Sequence, residues 1–157
     1  MSHFLRFFAI PIGVLLLLAG CFHEDEEDKQ VVHVGEAVPR FSVALSDGSV
    51  YDSSVHDGKA ATIVFFATWC GDCQRELPAL DALYRAGRYA DQHVVCIGRE
   101  EDEATVAKFW SDQRLSLPYS AQPDRSVFSL FATSGIPRIY TVSPDGVITN
   151  IAFTLDP

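Results

Sequence analysis

The chain has 157 residues, of which 48% are hydrophobic and 21% are charged, and its formal net charge at pH 7 is −9. This length and apolar content predict one domain with a buried core and exclude an intrinsically disordered chain. The negative charge argues against a nucleic-acid surface, because phosphate binding needs clustered lysine and arginine.

The first twenty residues have the layout of a signal peptide. They contain a single arginine, Arg6, then an apolar run over residues 7–18, and then small residues. The run is shorter than the roughly twenty apolar residues that a membrane span needs. The sequence LAGC at residues 18–21 resembles a bacterial lipobox, which predicts cleavage before Cys21 and attachment of lipid to this cysteine. An uncut signal anchor and an ordinary signal peptide are the alternatives.

Residues 21–34 are predicted to form an acidic tether between the lipid and a folded domain at residues 35–157. The run from Glu24 to Asp28 is wholly acidic, and like charges repel one another and keep the segment extended. The same run also resembles a signal for export to the cell surface in Bacteroidetes-type bacteria. The predicted location is the bacterial cell envelope, on the periplasmic side or at the cell surface, with a lipid anchor in the membrane.

The first predicted element of the domain is a β-hairpin. Two runs with alternating apolar residues, 40–45 and 49–54, flank the turn pair Asp47-Gly48. The next element, at residues 60–67, is a continuous apolar run that is typical of a strand buried on both faces.

Helices and strands then alternate. Apolar residues at spacings of three and four predict a helix from Gln74 to Ala86. Residues 93–98 form a second buried strand, residues 102–113 a second helix, and residues 126–132 a short helical turn.

A second hairpin closes the domain, with strands at residues 138–143 and 147–153 around the turn pair Asp145-Gly146. Strands that alternate with helices indicate the α/β class. The pattern predicts a mostly parallel central sheet with helices on both faces and an antiparallel hairpin at its end.

Two cysteines, Cys70 and Cys73, lie in the sequence WCGDC between a buried strand and a helix. The helix dipole and the unpaired backbone N–H groups favour a thiolate at Cys70, so we expect its pKa to lie below that of a free thiol. Cys73 lies one turn further into the helix, close enough to resolve a mixed disulfide. Cys96, inside a strand, is predicted to be a buried and inert residue.

Three longer segments resemble the thioredoxin superfamily: VGEAVPRFSVALSDGS, FFATWCGDCQRELP and GIPRIYTVSPDGVI. Together with the lipoprotein start, they resemble its TlpA/ResA-like branch of exported, membrane-tethered thiol-disulfide oxidoreductases. The resemblance implies a thioredoxin fold, with a central mixed β-sheet flanked by helices and an N-terminal β-hairpin.

The resemblance also implies the reaction. Cys70 attacks a disulfide of an exported protein, and Cys73 releases the reduced product. A membrane electron donor recharges the pair. No bound cofactor is required, because the dithiol carries both electrons.

Further residues match positions of the family. Trp69 matches the tryptophan beside the nucleophile, and Pro137 matches the proline that is cis in the superfamily. The backbone of Ile136, before that proline, pairs with the substrate chain in the family. Glu76 matches a glutamate thought to tune the cysteines, although a helix residue that faces water is an equally good interpretation.

The chain departs from the family pattern around the cysteines. Asp72 stands where many relatives carry proline, and Val64 stands where thioredoxin has a buried aspartate. Asp72 and Glu76 place negative charge near Cys70, which opposes a second anion and raises the pKa of the thiol. A less stabilised thiolate predicts a reducing couple.

Three other functions are compatible with the cysteine pair. A peroxiredoxin-like thiol peroxidase uses one nucleophilic cysteine, but the Pro-x-x-x-Thr/Ser-x-x-Cys setting is absent before Cys70. A metal-binding module would need four ligands, only Cys96 is left to help, and the histidines show no metal-ligand spacing. A non-catalytic binding protein would carry an idle disulfide on a thioredoxin scaffold.

Overall fold

The computed structural model describes residues 29–55 and 57–154. The predicted signal peptide, the lipidation site Cys21 and the acidic run lie outside these residues. Within the part of the chain that is described, no helix is long and apolar enough to cross a membrane.

Seven strands, two α-helices and one 3₁₀-helix follow one another in these residues. In chain order they are β1 (Ser42–Ala44), β2 (Val50–Asp52), β3 (Ala60–Phe66), α1 (Gly71–Arg85), β4 (Gln92–Gly98), α2 (Glu103–Gln113), β5 (Tyr119–Ser120), the 3₁₀-helix (Phe128–Leu130), β6 (Arg138–Val142) and β7 (Ile148–Ala152).

The central sheet has five strands in the order β5-β4-β3-β6-β7. The pairs β3–β4 and β4–β5 are parallel, whereas β3–β6 and β6–β7 are antiparallel. The mixed sheet is therefore confirmed, and the expectation of a mostly parallel sheet is wrong because β6 runs against β3. The strands β1 and β2 form the predicted N-terminal hairpin. Strand β5 was missed, since two residues are too few to give a periodic signal.

Both α-helices pack on the same face of the sheet. The side chains of Val64 and Phe66 in β3 face α1 and α2, in one cluster with Leu77 and Trp110. Alternate residues of a strand point to opposite faces, so the side chain of Ile63 in β3 points to the other face of the sheet. There it belongs to a second cluster of buried residues.

Within residues 29–55 and 57–154, the opposite face is covered without an α-helix. The hairpin contributes Val43 and Tyr51 to the second cluster, and the segment after β5 contributes Phe128 and Phe131. For the part of the chain that the structure describes, the expectation of α-helices on both faces is therefore wrong, because residues 126–132 contain only a short 3₁₀-helix and aromatic side chains pack beside it.

Helix α1 begins at Gly71, whereas the apolar spacing predicted a start at Gln74. Cys70 is the N-cap residue, and its Sγ accepts the backbone N–H of Cys73. Apolar periodicity starts only where the helix first packs, so it misses a first turn whose residues Gly71 and Asp72 are exposed.

The first residues that the structure describes, from Lys29 onward, pack against the rest of the domain. The Val31 N–H donates to the Phe131 carbonyl at 2.9 Å, and Val32 is buried in the core. Residues 29–34, which were predicted as the last part of the tether, therefore lie on the domain.

Candidate active site

Cys70 lies at the junction between β3 and α1, at the N-terminus of the helix. Its Sγ accepts the backbone N–H of Cys73, with 3.2 Å between sulfur and nitrogen. The residue keeps 8% of its surface exposed. A helix N-terminus presents unpaired N–H groups and the positive end of the dipole, so it stabilises a negative charge on this sulfur.

Cys73 lies on the first turn of α1 and has no exposed surface. Both cysteines are free thiols in the structure. Burial, followed by the hydrogen bond with Cys70, raises the pKa of Cys73 well above that of an exposed thiol. Cys73 therefore stays protonated at neutral pH, and Cys70 is the thiol that a substrate meets first.

Side-chain contacts hold the chain at Thr68, two residues before the nucleophile Cys70. The Thr68 N–H donates to Glu101 Oε2 at 2.7 Å, and the Thr68 hydroxyl donates to Glu101 Oε1. The Gln74 amide donates to the Thr68 carbonyl at 2.7 Å. Glu101 is buried, and a buried carboxylate is stable only when donors of this kind surround it. These contacts fix the position of the strand-to-helix turn.

The loop before β6 lies against the nucleophile. The peptide bond between Ile136 and Pro137 is cis, and Pro137 is buried. The Cys70 thiol donates to the Ile136 carbonyl, with 3.6 Å between sulfur and oxygen. The structure therefore brings Cys70, Ile136 and Pro137 together.

Trp69 provides an exposed aromatic surface beside Cys70. Its exposed fraction is 62%, which is unusual for a tryptophan. The guanidinium of Arg99 lies 5.8 Å from the Trp69 ring centroid and 5.0 Å from that of Phe128. Such cation–π contacts stiffen an exposed ring. Trp69 therefore lies next to Cys70 in the chain with most of its ring open to solvent.

The two carboxylates that were predicted to tune the cysteines have different settings. Asp72 is exposed on the first turn of α1 and accepts from Arg75 Nη2 at 2.5 Å. Glu76 is half-buried on the same helix. The Arg75 charge offsets that of Asp72, so Asp72 opposes a thiolate at Cys70 less than a lone carboxylate would. Tuning by either residue stays a prediction.

Cys96 is fully buried in β4, and burial raises the pKa of its thiol. The expected buried position is confirmed. Among residues 29–55 and 57–154, no group of three or more histidine, cysteine, aspartate or glutamate side chains could hold a metal ion.

Two buried charged residues at this site were missed in the sequence. Glu101 lies in an acidic stretch, residues 100–103, which is typical of a solvated surface, and nothing local marks it as buried. Arg138 follows Pro137 and is fully buried at the start of β6. A charge at the start of an apolar strand was the one available signal, because period-two alternation puts Arg138 on the same face as Tyr140.

A Cys-x-x-Cys pair at a helix N-terminus, facing a proline loop on a mixed α/β sheet, defines a thiol-redox class of protein. The family model described as the AhpC/TSA family matches residues 34–151. The chain belongs to this family.

Curated relatives point to the same class. The thiol-disulfide oxidoreductase ResA of Oceanobacillus iheyensis is 28% identical over 138 residues, which are 83% of this chain and 72% of that protein. ResA of Bacillus subtilis is 23% identical over 123 residues, or 78% of this chain and 69% of that protein. The predicted TlpA/ResA-like resemblance is confirmed by these relatives.

Solved structures share the fold. A Bacteroides thetaiotaomicron protein, described as a candidate protein disulfide isomerase, superposes with a TM-score of 0.73 and 27% identity, covering 82% of this chain and 84% of that one. StoA of Bacillus subtilis gives a TM-score of 0.66 and 20% identity, covering 75% and 90%. The fold is the thioredoxin fold, as predicted.

Proposed function

We propose that the protein is a thiol-disulfide oxidoreductase that reduces disulfides of exported proteins, with Cys70 as nucleophile and Cys73 as resolving thiol. The observation that carries this function is the asymmetry of the pair. The Cys70 sulfur caps a helix and the residue keeps 8% of its surface exposed, whereas Cys73 has no exposed surface and is kept protonated. The relatives named as thiol-disulfide oxidoreductases support the same reaction.

The reaction transfers two electrons in two exchange steps. The Cys70 thiolate attacks one sulfur of the substrate disulfide, forms a mixed disulfide and expels the other sulfur as a thiolate, which takes up a proton. Cys73 then loses its proton and attacks the Cys70 sulfur, which releases the second substrate thiol and leaves a Cys70–Cys73 disulfide. The protein dithiol is oxidised and the substrate disulfide is reduced.

The surface around Cys70 supports a protein as the substrate. Trp69 offers exposed apolar area for a chain to lie on, and the Ile136 backbone lies beside the attacking sulfur. We assign both to the substrate groove, together with Pro137. An extended chain that pairs with backbone groups gains affinity from main-chain hydrogen bonds whatever its side chains are.

The location of the reaction is part of the proposal. The signal-peptide layout of residues 1–20 and the lipobox-like residues 18–21 support a lipid anchor at Cys21 in the bacterial cell envelope. Disulfides persist in that compartment, so substrates are present there. An oxidised pair needs a dithiol donor, and an anchored protein meets such a donor in or at the membrane.

The test uses the purified full chain in detergent, with a small dithiol as the source of electrons and an unfolded disulfide-bonded protein as the substrate. The wild-type chain should accelerate substrate reduction, and the Cys70→Ser variant should not. Consumption of hydrogen peroxide without any reduction of protein disulfides would instead indicate a thiol peroxidase.

A further inference from the structure

Arg138, the first residue of β6, has no exposed surface. Removing a guanidinium from water is unfavourable, so its N–H groups and charge must be satisfied by the protein around it. The residue follows Pro137 directly. A buried charge therefore lies next to the loop that faces the nucleophile.

The Arg138 side chain holds the backbone of that loop. Its Nε donates to the Ser134 carbonyl at 2.9 Å and to the Gly135 carbonyl at 3.1 Å, and its Nη2 donates to the Ser134 carbonyl at 2.7 Å. The guanidinium carbon lies 4.8 Å from the ring centroid of Phe153. Charged donors make the stronger class of hydrogen bond, so one side chain fixes two successive carbonyls.

The carbonyls on either side of this pair are also in contact with side chains. Arg125 Nη2 donates to the Thr133 carbonyl. The Ile136 carbonyl accepts from the Cys70 thiol, 3.6 Å from sulfur to oxygen. Four successive carbonyls, at residues 133–136, therefore face two arginines and then the nucleophile.

We propose that Arg138 is a positioning residue for the reaction: its guanidinium fixes the loop at residues 133–136 so that the Ile136 backbone stays beside Cys70 and pairs with the substrate chain. The inference rests on the proposed function, because it concerns the substrate groove of that site. Arg138 acts on the reaction through the loop.

The choice of arginine follows from its shape. A planar fork can bridge two carbonyls at once, whereas the ammonium of lysine is a single point charge. Methionine would keep the apolar stem and leave both carbonyls without this donor. Activity that depends on the hydrogen bonds from residue 138 to the Ser134 and Gly135 carbonyls should therefore fall in the order arginine, lysine, methionine at that position.

The experiment compares two substrates in the full chain and in the Arg138→Lys and Arg138→Met variants. A protein disulfide needs the backbone groove, whereas Ellman's reagent, a small aromatic disulfide, needs only the thiol. For Arg138→Met we expect kcat/KM with the protein disulfide to fall about tenfold, mainly through KM, while the rate with Ellman's reagent changes less than about twofold. Arg138→Lys should lie between.

The control is Arg88→Gln, an exposed arginine in the segment after α1, which should leave both rates as in the wild type. Equal losses with both substrates, or no loss with either, would overturn the inference. If Arg138→Met does not fold, Arg125→Gln replaces it, with a smaller loss confined to the protein disulfide; no such difference would equally overturn it. A wild-type chain that reacts with neither disulfide would refute the proposed function itself.

Discussion

At the scale of single residues, the two active-site thiols are made different by position. Cys70 keeps 8% of its surface exposed and Cys73 keeps none, although they share one helical turn. The raised pKa of Cys73 keeps it neutral while Cys70 attacks. An attacking thiol at a helix N-terminus and a wholly buried resolving thiol form the asymmetric pair that stepwise disulfide exchange requires.

This asymmetry predicts the behaviour of Cys73→Ser. The variant should form the mixed disulfide through Cys70 and fail to release it, because the resolving thiol is gone. Mass spectrometry of the full chain after incubation with a disulfide-bonded protein should show a covalent adduct that a small thiol removes. The reciprocal variant, Cys70→Ser, should give no adduct, and an adduct on Cys73 would mean that the assigned roles are reversed.

A second residue-scale prediction concerns Asp72, which is exposed and paired with Arg75. Asp72→Asn removes negative charge near Cys70 and should increase the rate of Cys70 alkylation below neutral pH by about twofold, as expected for an exposed charge. Arg75→Gln leaves Asp72 without this partner and should lower the rate by a similar factor. Changes of the same sign in both variants would exclude Asp72 as a tuning residue.

At the scale of elements, the turn from β3 into α1 is held by a buried carboxylate. Glu101 lies between β4 and α2 and accepts both the N–H and the hydroxyl of Thr68. It therefore ties the end of β4 to the turn that carries the nucleophile. The parallel pairing of β3 with β4 brings these two strand ends to the same edge of the sheet.

The contacts between Glu101 and Thr68 predict a loss of stability that depends on both residues. Glu101→Gln turns one acceptor oxygen into a donor, which leaves a Thr68 donor buried without its acceptor, and it should lower the free energy of unfolding by about 1–3 kcal/mol. Urea unfolding of the full chain measures this. Combined with Thr68→Val, the loss should be smaller than the sum of the single losses. Additive losses would show that the two residues act independently.

At the scale of the whole molecule, the cluster on the face of the sheet opposite α1 and α2 contains two tyrosines whose phenol pKa values are shifted. Burial raises the pKa of Tyr51 and that of Tyr140 from 10.0 to about 12. A folded pKa above the unfolded one means that the folded state keeps its proton longer. Stability is therefore unaffected below about pH 10 and falls as pH rises from about 10 towards 12.

Tyr51→Phe removes one of these phenols and should reduce the alkaline loss. Its melting temperature should match the wild type near pH 7 and exceed it near about pH 11. Tyr140→Phe also loses the hydrogen bond to Gln30 Oε1, at 2.9 Å, and should therefore melt lower at neutral pH as well. Identical alkaline curves for Tyr51→Phe and the wild type would contradict the role of Tyr51.

The parts that were predictable are those with a local signal. Strand β3 is a continuous apolar run, and the placement of Cys70 at a helix N-terminus follows from its neighbours in sequence. The shared face of α1 and α2 was not predictable, because it depends on how strands pair over long range. The same holds for Glu101 and Arg138, whose burial arises from contacts with distant or irregular backbone.

The proposed function requires the pair of Cys70 and Cys73 to act as a reductant. Burial raises the pKa of Cys73 and opposes a thiolate there. The reduced form therefore gains no stabilisation from ionisation of Cys73, which favours a low reduction potential.

The most direct test is a redox titration of the full chain in detergent against thiol buffers, with free Cys70 and Cys73 counted by alkylation and mass spectrometry. We predict a single two-electron transition at a potential near or below that of thioredoxin, roughly −270 mV. A potential near that of a strong oxidant, roughly −120 mV, or no disulfide between the two cysteines at any buffer ratio, would contradict the account.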